Sequence, residues 1–180
     1  MEWWISFLSA AVVAGTPLLF ATLGGIFNER AGHLNLGVEG MMIMGAVVGF
    51  TVALNTSNAV LAMLMAGIAG ALGALIYAVL TVTLRANQVV TGLTLTIFGT
   101  GFANFLGQST PAAVKAFFSS ISIPLLSKIP ILGPVFFQKD IFIYCGYVLV
   151  ILAGLYLYKT QIGLNLRAVG ETPAAADAAS

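Results

Sequence analysis

The chain has 180 residues, of which 59% are hydrophobic and only 7% charged, with a net charge of +1. Soluble domains carry about 25% charged residues, so a water-soluble globule of this size is excluded. The near-neutral balance and the lack of any basic run also exclude a nucleic-acid surface.

Charge spacing sets the architecture. No Asp, Glu, Lys or Arg occurs in the 26 residues between Glu2 and Glu29, the 45 between Glu39 and Arg85, or the 29 between Arg85 and Lys115. A helix crosses a bilayer with roughly 20 apolar residues. The middle gap therefore holds two crossings, and a further uncharged run, Ile141 to Tyr158, holds one. Transmembrane barrels need dyad alternation, which is absent, and helices are the other way to satisfy the backbone in lipid. The sequence reads as all-α, a polytopic transmembrane bundle of about five spans.

The first span is expected over Ile5–Phe27, interrupted by "GTP" at Gly15 to Pro17, since proline removes a helix hydrogen bond. It does not read as a secretory signal, because Glu2 stands where a basic segment would be needed. Trp3 and Trp4 suit the headgroup level. Between this span and the next lies "ERAGHLNLGVEG", Glu29 to Gly40, with three charges, the sole histidine and three glycines in twelve residues. Irregular backbone at membrane depth survives only where protein buries it or a cavity wets it, so a helix is expected to stop and restart near Gly32 to Gly40. If residues 35 to 39 are helical, Asn35 and Glu39 share a face.

The second span is expected over Leu36–Leu54, then a turn at "NTSN", and a third span over Ala59–Leu84. Gly45 with Gly49, and Ala66, Gly70 and Ala74, form small-residue rows suited to close helix packing. After a polar turn at "RANQVV", a fourth span is expected over Val89–Leu106. Gln88, Gly92, Thr96, Gly99, Thr100 and Ala103 fall within about 120° of its wheel. A face so small and polar serves either helix packing or the lining of a transport path. Phe98, Phe102 and Phe105, with Asn104 and Gln108, are the groups that could stack on a base or bond a ribose.

Residues 108–140 form the one long non-spanning stretch, a proline-rich loop with Lys115, Lys128 and Lys139, expected to be partly ordered and to hug the membrane. The fifth span is expected over Ile141–Tyr158. The chain then ends in a charged, helix-prone segment, residues 159–180, carrying Lys159, Arg167, Glu171 and Asp177. If that segment is cytoplasmic, Arg30 and Arg85 share its side, four basic residues against three outside. Cys145 is alone, so it forms no disulfide within the chain. No phosphate loop and no metal-ligand spacing appear, and no cofactor is expected.

Three stretches carry a family resemblance: "ERAGHLNLGVEGMMIMGA" at 29–46, "ANQVVTGLTLTIFGTGFANFL" at 86–106 and "GLNLRAVGETPAAADAAS" at 163–180. Together they resemble the permease subunits of bacterial ABC importers, in the ribose, nucleoside and branched-chain amino acid group. Sugar permeases tend to carry an Asp-Leu-Ser version of the first motif. "NLGVEG" is similar to the simple-sugar and nucleoside members that work with a lipoprotein receptor of the basic-membrane-protein type.

The resemblance implies a non-enzymatic membrane subunit in the bacterial inner membrane. Its implied partners are a second permease subunit, cytoplasmic ATPase subunits that hydrolyse ATP, and an external substrate-binding lipoprotein. It also implies that the 180 residues are the N-terminal part of a longer permease domain. The segment after the fifth span matches the helix that couples to the ATPase, with Gly163 permitting a turn and Arg167 and Glu171 presenting a charged face. Candidate pathway residues are Asn35, Glu39, Thr96, Thr100 and Asn104. A different class, a proton- or ion-coupled carrier using Glu39 and His33 as a relay, is the competing expectation.

Overall fold

The structure is a computed structural model that describes residues 2–108 and 118–178; Pro111 and Lys115 lie outside the described residues. Among the described residues, five helices are long and apolar enough to cross a membrane: Glu2–Arg30 (α1), Val38–Thr56 (α2), Ala59–Thr83, Gln88–Gly107 (α4) and Ile141–Lys159 (α6). The third comprises Ala59–Ala78 (α3) and a π-helical turn, Val79–Thr83. The five expected spans are therefore present, each within a few residues of its expected bounds. The chain divides into two compact units, Met1–Gly32 with Phe118–Ser180, and His33–Phe117.

In the first unit α1 is one continuous helix of 29 residues with Pro17 inside it. The expected interruption at Gly15 to Pro17 does not occur. Thr16 Oγ1 donates to the Val12 carbonyl at 2.8 Å beside the proline. No residue of α1 is buried, as befits a helix apolar all round. α6 meets α1 through Gly146, which lies against Leu19 and Phe20, and through edge-on rings of Phe20 and Phe142.

The loop before α6 is ordered over its described part, as expected. Ile121–Ser122 (β1) pairs antiparallel with Gln138–Lys139 (β2), enclosing the short helix Leu132–Phe136 (α5). The sequence repeats itself here as "IPLLS" and "IPILG", and so does the backbone. Ser127 N donates to Ile123 O at 3.0 Å, and Gly133 N to Ile129 O at 2.8 Å. The residue after each proline, Leu125 and Ile131, has positive φ.

Lys139 at the base of this loop is buried, with 4% of its surface exposed. Its Nζ donates to the Ser9 carbonyl at 3.1 Å and to Ser9 Oγ, fastening β2 to α1. Burial lowers its pKa, and the neighbouring Asp140 carboxylate offsets this in part. After α6 the unit continues with Gln161–Glu171 (α7) and Pro173–Ala178 (α8).

The second unit packs α2 tightly on α3. A side chain at Gly45 would meet the Ala66 carbonyl at 2.9 Å, and one at Gly49 the Ala66 Cβ at 2.9 Å. The expected small-residue rows are thus packing faces. Ala74 is the exception: it is exposed, and Gly73 takes its place against Met41 at 3.2 Å. Met41, Tyr77 and Leu95 form the core where α2, α3 and α4 converge.

Helix starts carry side-chain caps that the sequence spells out. Asn58, Asn87, Asp140 and Thr160 each accept a hydrogen bond from a backbone N–H in the first turn of α3, α4, α6 and α7.

Candidate functional site

Two regions carry the polar residues singled out in the sequence, one in each unit. The first is the break between α1 and α2. Helix α1 ends at Arg30, residues 33–35 have no regular structure, and α2 begins at Val38. Asn35 lies outside the helix, so it does not share a helical face with Glu39. Its Oδ1 accepts from Gly37 N at 2.8 Å, closing an Asx turn that starts α2.

Side chains of the same unit hold His33, Leu34 and Leu36. Gln88 Oε1 accepts from Leu34 N at 2.7 Å, and its Nε2 stands 3.1 Å from His33 Nδ1. The bond from Leu34 N fixes which end of the Gln88 amide faces the backbone, and so turns the Nε2 donor toward the His33 ring. Tyr77 donates its hydroxyl to Leu34 O at 2.9 Å, and Thr96 Oγ1 to Leu36 O at 3.0 Å. A buried backbone carbonyl or amide left without a partner costs about 1–3 kcal/mol, which each of these bonds averts.

Glycines let the backbones come close enough for those bonds. A side chain at Gly92 would meet Leu36 N at 2.8 Å and Gly37 N at 2.9 Å. A side chain at Gly40 would meet Thr96 Cα at 2.6 Å, and one at Gly99 would meet Gly40 Cα at 2.7 Å.

The polar face of α4 therefore divides. Gln88, Gly92, Thr96 and Gly99 pack on the break, whereas Thr100 and Asn104 lie exposed farther along, with Thr100 Oγ1 donating back to Thr96 O. Glu39 is exposed in the first turn of α2, where the helix dipole favours a carboxylate. Among the described residues no three His, Cys, Asp or Glu side chains gather as metal ligands.

Beside Tyr77 a groove of about 400 Å³ opens between α3 and α4, lined by apolar groups including Ile76, Leu80, Val90, Leu95 and Phe98. Sequence reasoning passed over Tyr77 entirely. Its signal was slight: one hydroxyl-bearing ring in an otherwise small and aliphatic run.

The second region is α7. The chain turns at Thr160, whose backbone is extended and whose Oγ1 accepts from Gly163 N at 3.0 Å and donates to Tyr156 O at 2.6 Å. Gly163 does not make the turn, contrary to expectation. It is buried inside α7, where a side chain would run into the Tyr156 carbonyl and meet Leu157 Cα at 2.7 Å.

The far end of α7 is seated on the end of α1. Gly170 faces the Arg30 carbonyl and would bring a side chain to 2.9 Å from Gly32 N, and Gly32 itself holds φ +82°. Arg167 is half-buried, its guanidinium carbon 4.9 Å from the Tyr158 ring centre. It does not share an open charged face with Glu171, which is exposed. The outward surface of α7 is instead largely apolar, with Ile162 65% and Val169 49% exposed.

Comparison with known proteins follows the same lines. The chain is 38% identical over 174 residues to a putative glucose ABC transporter permease protein of Haloferax volcanii, covering 94% of this chain and 53% of that one. It is 37% identical over 177 residues to a nucleoside ABC transporter permease protein of Lactococcus lactis, covering 92% and 56%. It is 36% identical over 182 residues to a guanosine ABC transporter permease protein of Bacillus subtilis, covering 93% and 56%. The chain spans about half the length of these curated relatives. No solved structure matches it. Residues 7–180 match the family described as the branched-chain amino acid transport system / permease component, and with nearly the whole chain inside that match, the chain belongs to this family of permeases.

Proposed function

We propose that this chain forms part of the transmembrane subunit of an ATP-driven importer of nucleosides or simple sugars in the bacterial cell membrane. In this reading it works with a second permease subunit, cytoplasmic ATPase subunits and an external substrate-binding lipoprotein. The names of its relatives, two for nucleosides and one for glucose, support the substrate class.

The observation that carries the reading is the seating of α7. An amphipathic helix of 11 residues is capped at the end of α6, packed at Gly170 on the end of α1, and leaves apolar side chains outward. A push on that outer surface is transmitted to two membrane spans at once. This is what a partner ATPase needs if its closure is to switch the pathway between outward and inward access. Within α7, Gly163 sets the close approach to α6, Arg167 holds the helix on Tyr158, and Glu171 offers the partner an exposed charge.

For the pathway, Glu39, Thr100 and Asn104 supply exposed polar groups, and Asn35 and Thr96 shape it by fixing the break. Nothing favours a proton-coupled carrier relay between His33 and Glu39.

The test is affinity purification of the full-length chain from native membranes in mild detergent, with mass spectrometry of what accompanies it. An ATPase subunit is expected, and it is expected to be lost when Ile162 and Val169 are both changed to Asp. Uptake that collapses with the proton gradient, with no ATPase found in several detergents, would overturn the importer reading.

A further inference from the structure

Two guanidinium groups converge on one ring at the membrane boundary of the first unit. Arg30 is the last residue of α1, and Tyr158 lies one residue before the end of α6. Arg30 Nη2 donates to Tyr158 Oη at 3.2 Å, and its guanidinium carbon is 6.0 Å from the ring centre. Arg167 reaches the same ring from α7 at 4.9 Å, and its Nε is buried without a hydrogen-bond partner. Lys159 follows Tyr158 directly and is exposed.

Stacking on a tyrosine accounts for the ring faces but not for the charge. Like charges gathered at one point repel, and a buried guanidinium N–H without an acceptor carries a desolvation cost. Among the described residues neither guanidinium forms an ion pair with a carboxylate. The carboxylates nearest in sequence, Glu29 and Glu171, are exposed. The group that would satisfy the cluster is an anion with several acceptor oxygens, matched to forked N–H donors.

Position selects its source. The ends of α1 and α6, both apolar over the length of a bilayer crossing, meet at this point, so the cluster lies at headgroup depth. Tyrosine is favoured there, and basic pockets between transmembrane helices bind anionic headgroups.

We propose that Arg30, Tyr158 and Arg167 form a binding site for the phosphate of an anionic phospholipid, with its acyl chains along α1 and α6. The grooved contact of those two helices supplies the apolar bed: Phe20, Leu23, Gly24, Leu149 and Ala153 line a hollow of about 380 Å³ between them. The site stands on geometry alone and does not require the importer reading to hold.

The test uses the full-length chain in nanodiscs of phosphatidylcholine mixed with phosphatidylglycerol, released into native mass spectrometry. Phosphatidylglycerol is expected to be retained preferentially. The pair R30Q/R167Q is expected to lower its retention roughly thirtyfold, the effect of two surface-basic contacts. R30K/R167K keeps the charges without the forks and is expected to fall between the two. Tyr158→Phe, which removes one hydroxyl from an intact ring, is expected to lose roughly fivefold.

Lys128→Gln, in the loop before α6, serves as a control and is expected to change nothing. Excess inorganic phosphate is expected to leave the lipid in place, because the acyl chains contribute to holding it. Displacement by phosphate would overturn a lipid site in favour of a soluble anion. Equal retention of phosphatidylglycerol by the wild type and a helical, monodisperse R30Q/R167Q would overturn the site outright. So would loss of a co-purifying ATPase from that variant with lipid retention unchanged, which would assign the cluster to a protein carboxylate.

Discussion

The break at residues 33–40 and the terminal helix α7 are both built on glycines that bring backbones into contact, yet they are built for opposite purposes. At the break, four backbone groups are answered by side chains: Gln88 holds Leu34 N, Tyr77 holds Leu34 O, Thr96 holds Leu36 O and Asn35 holds Gly37 N. α7 is fastened at its two ends, by Thr160 and by Gly170, and its outer surface is left uncovered. One region is locked into its unit, whereas the other is held at its ends and leaves its outer surface open, as the proposed coupling to an ATPase requires.

The largest effects are expected where the break is most crowded. Gly40→Val or Gly99→Val forces a side chain into backbone with no flexible neighbour to yield, and is expected to cost about 3 kcal/mol. Loss of the helical, monodisperse protein in detergent, followed by circular dichroism and size exclusion, is the measurement. If either variant melts within a few degrees of the wild type, the crowding is not real.

Gln88→Leu removes two bonds and leaves Leu34 N and His33 without their partner. About 1–3 kcal/mol of stability is expected to go, read as a lower thermal midpoint in detergent. Tyr77→Phe removes the single bond to Leu34 O, for about 1 kcal/mol. A larger loss from Tyr77→Phe than from Gln88→Leu would reverse the account of what holds the break.

The smallest effect is at Lys139. Burial lowers its pKa, so the folded chain gives up this proton at a lower pH than the unfolded chain does. The charged lysine thus costs stability below the folded value, and the cost fades as pH rises through it toward the ordinary lysine value. Thermal stability is expected to rise slightly over that alkaline window in the wild type, and this rise is expected to vanish in Lys139→Met.

Much of this was legible in the sequence because a bilayer imposes length. Uncharged runs marked five spans, and the twelve residues Glu29 to Gly40, with their three charges and three glycines, marked one break. The small rows at Gly45 and Gly49 read correctly as packing because only small residues let helices approach so closely. What the sequence did not disclose depends on contacts distant along the chain. Thr96 reads alike whether it lines a path or bonds Leu36 O, and only the placement of α4 against the break decides. Gly163 reads as a turn residue, but Thr160 can turn the chain unaided, which leaves Gly163 for close packing. Arg167 and Glu171 are four apart, yet the Tyr158 ring draws one of them inward.

If α7 passes force to α1 through the Gly170 contact, as proposed, disturbing that contact uncouples uptake from hydrolysis. Gly170→Ala, the smallest side chain that fills the contact, is to be compared with the wild type in the full-length chain, reconstituted with the proposed ATPase and receptor in proteoliposomes, for nucleoside uptake and ATP hydrolysis together. Hydrolysis is expected to persist while uptake per ATP falls roughly tenfold. Uptake per ATP that stays at the wild-type value would contradict the proposed coupling.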